Sequence, residues 1–166
     1  MTHPDYPTPN IETHARETAR IVLVDSCRIT PLIYSKKYDV YIIPGWWIDK
    51  WESSETAALR EAREEVGCEA KILWEIWKIV EHLPAHGYSK GVNLIQKSHC
   101  YYGKVITKWE PKMTEKEISK GFQVIWVPIW EVLKKMKNSQ PTTFKARLVA
   151  ERDIIIFEKY LKLWNS

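Results

Sequence analysis

The apolar positions fall into short runs whose period changes along the chain. Ala19-Arg20-Ile21-Val22-Leu23-Val24 is short and β-branched, which predicts a buried strand from about Thr18. Pro31–Ser35 and Val40–Ile43 predict two more strands, the second stopped by Pro44-Gly45. A polar segment follows and opens a helix, with Ser53 or Ser54 as its cap and Gly67 as its stop. Strand patterns resume over Ala70–His82 and Val92–Ile106, long enough to pair as a hairpin, with a loop at Pro84–Lys90 between them. Thr107–Gly121 is polar, and Phe122–Val127 is one more strand. Pro128 can stand at the first position of a short helix to Lys137, broken by Asn138–Pro141. From Thr142 or Thr143 a last helix runs to about Leu163, with Leu148, Ile155, Phe157 and Leu161 on its apolar face. Residues 1–15 hold three prolines without periodicity and read as an N-terminal tail. Residues 16–166 then form a single α/β domain with a mixed sheet.

Composition narrows the class without naming a function. The chain has 166 residues, 45% hydrophobic and 28% charged, ordinary for one globular domain. A net charge of +4 is too mild to predict a nucleic-acid partner. No apolar run approaches a membrane span, and the first residues lack the basic and apolar regions of a secretory signal. Cys27, Cys68 and Cys100 are odd in number and widely spaced, so reduced thiols in a cytoplasmic protein are expected. One ratio is unusual: nine Trp against six Gly, where average glycine usage of about 7% gives roughly twice that many glycines.

Candidate chemistry sits between Gly45 and Cys68. On a helix, Glu61, Glu64 and Glu65 fall within an arc of about 100°, with Ala58, Ala62 and Val66 on the neighbouring arc. The helix can dock by its small apolar stripe and turn its carboxylates to a groove. Like charges at these spacings repel by a few tenths of a kcal/mol per pair, roughly. Arg60 and Arg63 offset part of that, and a hard cation such as Mg²⁺ would relieve the rest. A bare glutamate triplet is equally the description of a solvated acidic face.

The spacing distinguishes the two. With Arg60-Glu61 as reference, Glu52, Glu64, Glu65 and Gly67 fall in register without a gap, and the segment resembles the Nudix box GX5EX7REUXEEXGU, U being a bulky aliphatic residue. Six of its nine specified positions match. The resemblance implies an α/β/α sandwich with a mixed β-sheet. It implies Mg²⁺ or Mn²⁺ held by Glu61, Glu64, Glu65 and the carbonyl of Gly45, with Glu52 and Arg60 as the pair orienting loop and helix. The implied reaction is water attack on the P–O–P linkage of a nucleoside diphosphate derivative. Relatives often take their general base from a Glu near the late Trp-containing strand. Gln123 stands there in this chain and an amide cannot serve, so Glu117, with Glu115 beside it, and Glu64 itself are the candidates. Arg20, Lys36 and Lys37 precede the box on strands that line the cleft in this architecture, and Arg20 and Lys37 are expected to touch substrate. His82, His86 and Tyr88 flank the neighbouring loop. The family resemblance allows a homodimer.

Three box positions depart from the pattern. Ala62 and Cys68 replace bulky aliphatic residues and affect packing. Trp46 replaces the first glycine, and Trp51 stands where many relatives have another. A glycine there serves positive φ or close backbone approach. The indole of Trp46 either damages the loop or walls the cleft and stacks on a base, and the alternative function is a catalytically impaired module that binds a nucleotide or a protein. Trp77 and Trp109 also fall where relatives tend to have glycine. UGA codons read as Gly in the source and as Trp in translation would produce this distribution. Gly at 46, 47 and 51 would restore an ordinary loop of the family.

Overall fold

The computed structural model describes residues 1–86, 91–111, 115–119 and 121–164, leaving aside the side chains of Lys116 and Glu117. In chain order the elements are β1 (Thr13–Val24), β2 (Ile29–Ser35), β3 (Val40–Ile42), α1 (Ser54–Val66), β4 (Cys68–Leu83), β5 (Asn93–Lys108), α2 (Glu115–Ser119), β6 (Phe122–Pro128), α3 (Ile129–Asn138) and α4 (Phe144–Trp164). One sheet has the order β1-β5-β4, with β1 parallel and β4 antiparallel to β5. The other, β3-β2-β6, is antiparallel throughout.

The two sheets meet where the chain leaves β3. The carbonyls of Pro44 and Trp46 accept hydrogen bonds from Ile21 and Ala19 of β1, at 3.0 and 2.9 Å. Alternation along β1 then sends side chains to two cores. Val22 and Val24 join Val132 and Met136 of α3 and Ile156, Phe157 and Tyr160 of α4. Ala19, Ile21 and Leu23 join Ala57, Ala58, Ala62 and Val66 of α1. Helices therefore cover both faces, and the expected α/β/α sandwich with a mixed sheet is what the chain forms.

The polar outer half of β1 carries no apolar signal, so the strand begins at Thr13, earlier than its pattern suggests. The hairpin is β4 with β5, from Cys68↔Lys108 to Leu83↔Leu94. Ser53 caps α1, its Oγ accepting from Thr56 N at 3.1 Å, and Gly67 ends the helix at φ 67°. Pro128 precedes α3 as its cap residue, one position before the helix proper. The polar stretch before β6 contains the short α2. Residues 1–3 lie along the end of β4: Met1 N donates to Val80 O at 2.6 Å, and His3 N to His82 O at 2.9 Å. All three cysteines are free thiols, and burial pushes Cys68 up to about 11 and Cys100 up to about 12. Among the described residues no helix is long and apolar enough to cross a membrane.

A buried charged network fixes the approach to the box. Asp153 on α4 is fully buried; its carboxylate accepts from Ile43 N at 2.9 Å and from Arg152 Nε at 2.8 Å. Arg152 also lies 3.9 Å from Glu81, which in turn accepts from Gln96 at 2.6 Å. The network thus pins the residue two before Gly45 to the long C-terminal helix. Removing one member leaves an uncompensated buried charge, a cost of about 3–5 kcal/mol. Asp153→Ala is expected to lower unfolding free energy by about that amount, read as a reduced urea midpoint at unchanged slope. A change within error of zero would contradict this account of the network.

Candidate active site

Burial on α1 follows its sequence stripe with one exception. Ala57, Ala58, Ala62 and Val66 are buried, and so is Glu61, at 5% exposure. A carboxylate in that position requires a cation, and Arg60 supplies it. Its Nη1 lies 2.5 Å from Glu61 Oε1 and 3.2 Å from Glu64 Oε2. Its other edge grips Glu52, Nε to Oε1 and Nη2 to Oε2, both at 3.0 Å. This two-point pairing suits the planar guanidinium and a carboxylate, which a lysine ammonium could not reproduce. Nη2 also donates to the carbonyl of Trp47 at 3.2 Å. One side chain thereby ties the loop after β3 to the carboxylate face of α1.

The electrostatics differ within the cluster. The Arg60 guanidinium holds Glu52 below its ordinary value against a smaller effect of burial. Glu61 moves the other way: burial raises it, and the attraction of Arg60 does not compensate. Arg63 points away to Glu69, at 2.6 and 2.8 Å, so it neutralises no part of the cluster. Glu64 is exposed, whereas Glu65 accepts from Gly45 N at 2.8 Å.

Gly45 is held from both sides. Arg20 of β1 donates to its carbonyl. At φ 138°, a Cβ on Gly45 would sit 2.0 Å from Ala19 O and 2.8 Å from Arg20 Cα, so only glycine lets this strand end lie on β1. Positive φ in this loop falls on Gly45 and on Trp51, at 71°, and not on Trp46.

Beside the cluster opens a cavity of about 410 Å³. Gly45, Trp46, Glu65, Arg16, Arg20 and Lys145 line it together with the apolar Tyr38, Val40, Phe122, Ala146 and Val149. Of the residues expected from sequence, Glu52, Arg60, Glu61 and Glu64 form one cluster, with Glu65, Gly45, Arg20 and Trp46 adjoining it. Lys37 is exposed, 5.5 Å from the ring of Tyr38, and so sits beside the cavity's wall. The Glu117 side chain and Tyr88 lie outside the described residues; Glu115 is exposed at the start of α2. His82 pairs with Thr2 at 3.0 Å, and His86 lies 3.3 Å from Asp5.

Arg16 went unanticipated, although it stands four residues before Arg20 on one face of β1. Its Nε donates to Gln96 at 2.7 Å and its guanidinium lies 5.1 Å from the Trp47 ring. Thr143, Ala146 and Val149 of the C-terminal wall carry no sequence signal for this role.

The donor set of Glu61, Glu64, Glu65 and the Gly45 carbonyl is all oxygen, which suits Mg²⁺ or Mn²⁺. The buried Glu61 carboxylate, raised by desolvation, gains from any cation placed against it. Among the described residues no three such side chains converge as a ready ligand group; Arg60 stands between Glu61 and Glu64 as their present counter-charge.

Comparisons with known proteins agree with this geometry. No curated protein matches the sequence. Solved structures match along nearly the whole chain at low identity. The E. coli ORF135 protein aligns with TM-score 0.59 and 18% identity, covering 91% of each chain. A NUDIX hydrolase from Nitrosomonas europaea aligns with TM-score 0.59 and 16% identity over 90% of each. A UDP-X diphosphatase aligns with TM-score 0.57 and 14% identity, over 90% of this chain and 64% of that longer one. These likenesses share a fold. The NUDIX domain family itself matches residues 15–148. The chain belongs to the Nudix hydrolases, enzymes acting on phosphorus-containing anhydrides that generally use divalent metal ions.

Proposed function

We propose that the protein is a Mg²⁺-dependent pyrophosphohydrolase that cleaves the P–O–P linkage of a nucleoside diphosphate derivative. The observation that carries the reading is the Glu52–Arg60–Glu61–Glu64 cluster beside a cavity lined by both cationic and apolar side chains. In this reading the diphosphate lies against Arg20 and the nucleoside toward Tyr38 and Phe122. Lys37 and residue 46 complete the substrate-facing set. Glu61, Glu64, Glu65 and the Gly45 carbonyl would hold Mg²⁺ or Mn²⁺. When bound, such an ion neutralises phosphate charge and lowers the pKa of an attacking water.

The protein's own groups divide the remaining work. Glu52 holds Arg60 in place, and Arg60 holds the carboxylates of Glu61 and Glu64 together and oriented. Arg20 offers positive charge to phosphate oxygens while fixing the Gly45 carbonyl. Glu64, the most exposed carboxylate of the cluster, takes the proton of the attacking water, with Glu117 the second candidate. The water oxygen bonds to one phosphorus, the bridging P–O bond breaks, and the other phosphate leaves with the bridging oxygen. A cytoplasmic setting fits the three free thiols.

A panel of nucleoside diphosphate derivatives incubated with Mg²⁺ tests the reading. At least one member is expected to turn over, EDTA to abolish turnover, and Glu64→Gln to lower kcat by about 10²-fold or more. No turnover of any member, or undiminished turnover in Glu64→Gln, would overturn it. Nucleotide binding without metal dependence or hydrolysis would favour the impaired binding module, the reading that Trp46 and Trp51 motivate.

A further inference from the structure

Tryptophan is ordinarily among the most buried side chains on average. In this protein eight of the nine are exposed, and Trp126 is half-buried; none belongs to the fully buried core. Six of the exposed ones stand in loops or beside strand irregularities, and one of these, Trp51, has a left-handed backbone. Trp51 has φ 71°, the left-handed region, with its ring 94% exposed. Trp46 and Trp47 follow Gly45 in the strip pressed against β1, and their rings stack on each other at 6.0 Å between centroids, each half-exposed. Trp74 and Trp77 each follow the residue, Leu73 or Ile76, that is skipped where the register of β4 with β5 shifts, next to irregularities where strands often carry glycine. Trp109 ends β5 in the turn against Gly67, its N donating to Gly67 O at 2.7 Å.

The other three behave differently. Trp130 lies in the first turn of α3, where glycine would cost helix stability, Trp164 ends α4 with its ring edge-on to Tyr102, and Trp126 packs in mid-β6 against the α1 core. A codon-level cause separates the classes where random substitution would not. UGA differs by one base from the tryptophan codon UGG and by one base from the glycine codon GGA.

We infer that the natural protein carries glycine at positions 46, 47, 51, 74, 77 and 109, its gene reading UGA as glycine. Without indoles at 46 and 47 the mouth of the cavity widens. Glycine rises from six to twelve, the number expected for this length.

The test reads codons and masses, so it stands whatever the enzyme hydrolyses. The gene is sequenced, and the protein purified from its own source is digested and its peptides weighed. TGA at codons 46 and 51, with TGG at 126 and 130, is expected. The native peptide holding residue 51 should be lighter by the difference between an indolylmethyl group and hydrogen. TGG at 46 or 51, or tryptophan in that native peptide, overturns the inference. In the chain as written, Trp51→Gly should raise the thermal midpoint by about 2–4 °C; an unchanged or lower midpoint counts against it.

Discussion

The site depends on one guanidinium. Arg60 hydrogen-bonds three carboxylates and a backbone carbonyl, and each contact does separate work. The pairing with Glu52 ties the loop to the helix. The contact with Glu61 allows a carboxylate to stand buried on a helix packed against β1. The contact with Glu64 brings the exposed member of the set into the same field. Without Arg60, repulsion among the glutamates and the desolvation of Glu61 would act unopposed, and the carboxylate face would open. Because Arg60 is a cation in the place between Glu61 and Glu64, it also keeps the cluster ordered.

The rest of the fold delivers two partners to that cluster. β1 brings Arg20 to Gly45, and the close approach is possible only because residue 45 has no side chain. α4 brings Asp153 to Ile43, fixing the strand end from the other side. The carbonyl of Gly45 is thus positioned by two buried interactions from elements far apart in sequence. The cavity is lined by those same elements, β1 and α4, so the cavity and the Gly45 carbonyl share one frame.

Much of this was legible in the chain. Ser53 and Gly67 bounded α1, and the small stripe Ala58–Ala62–Val66 told which face docks, because capping and helical periodicity are local properties. The shared arc of Glu61, Glu64 and Glu65 followed from helical periodicity, and their grouping with Glu52 from the resemblance to the Nudix box. What was hidden is long-range. The half of β1 that bears Arg16 is polar and exposed, so nothing apolar marked it as strand. Asp153 and Arg152 interrupt the apolar face of α4 for a reason visible only once Ile43 and Glu81 are beside them. The register shifts of β4 at Trp74 and Trp77 leave no trace in a period-two pattern. The tryptophan excess was visible as a count, but its meaning needed backbone angles and exposure.

The central claim is that the oxygens of Glu61, Glu64, Glu65 and Gly45 form a divalent-metal site. Titration of the protein with Mn²⁺, followed by the electron paramagnetic resonance of free Mn²⁺ in the presence of a non-hydrolysable nucleoside diphosphate analogue, tests it most directly. The account predicts saturable loss of the free-ion signal, weakened at least about tenfold in Glu65→Gln, as for the loss of a metal-site interaction. Full retention of the free signal, or equal binding by Glu65→Gln, would contradict it.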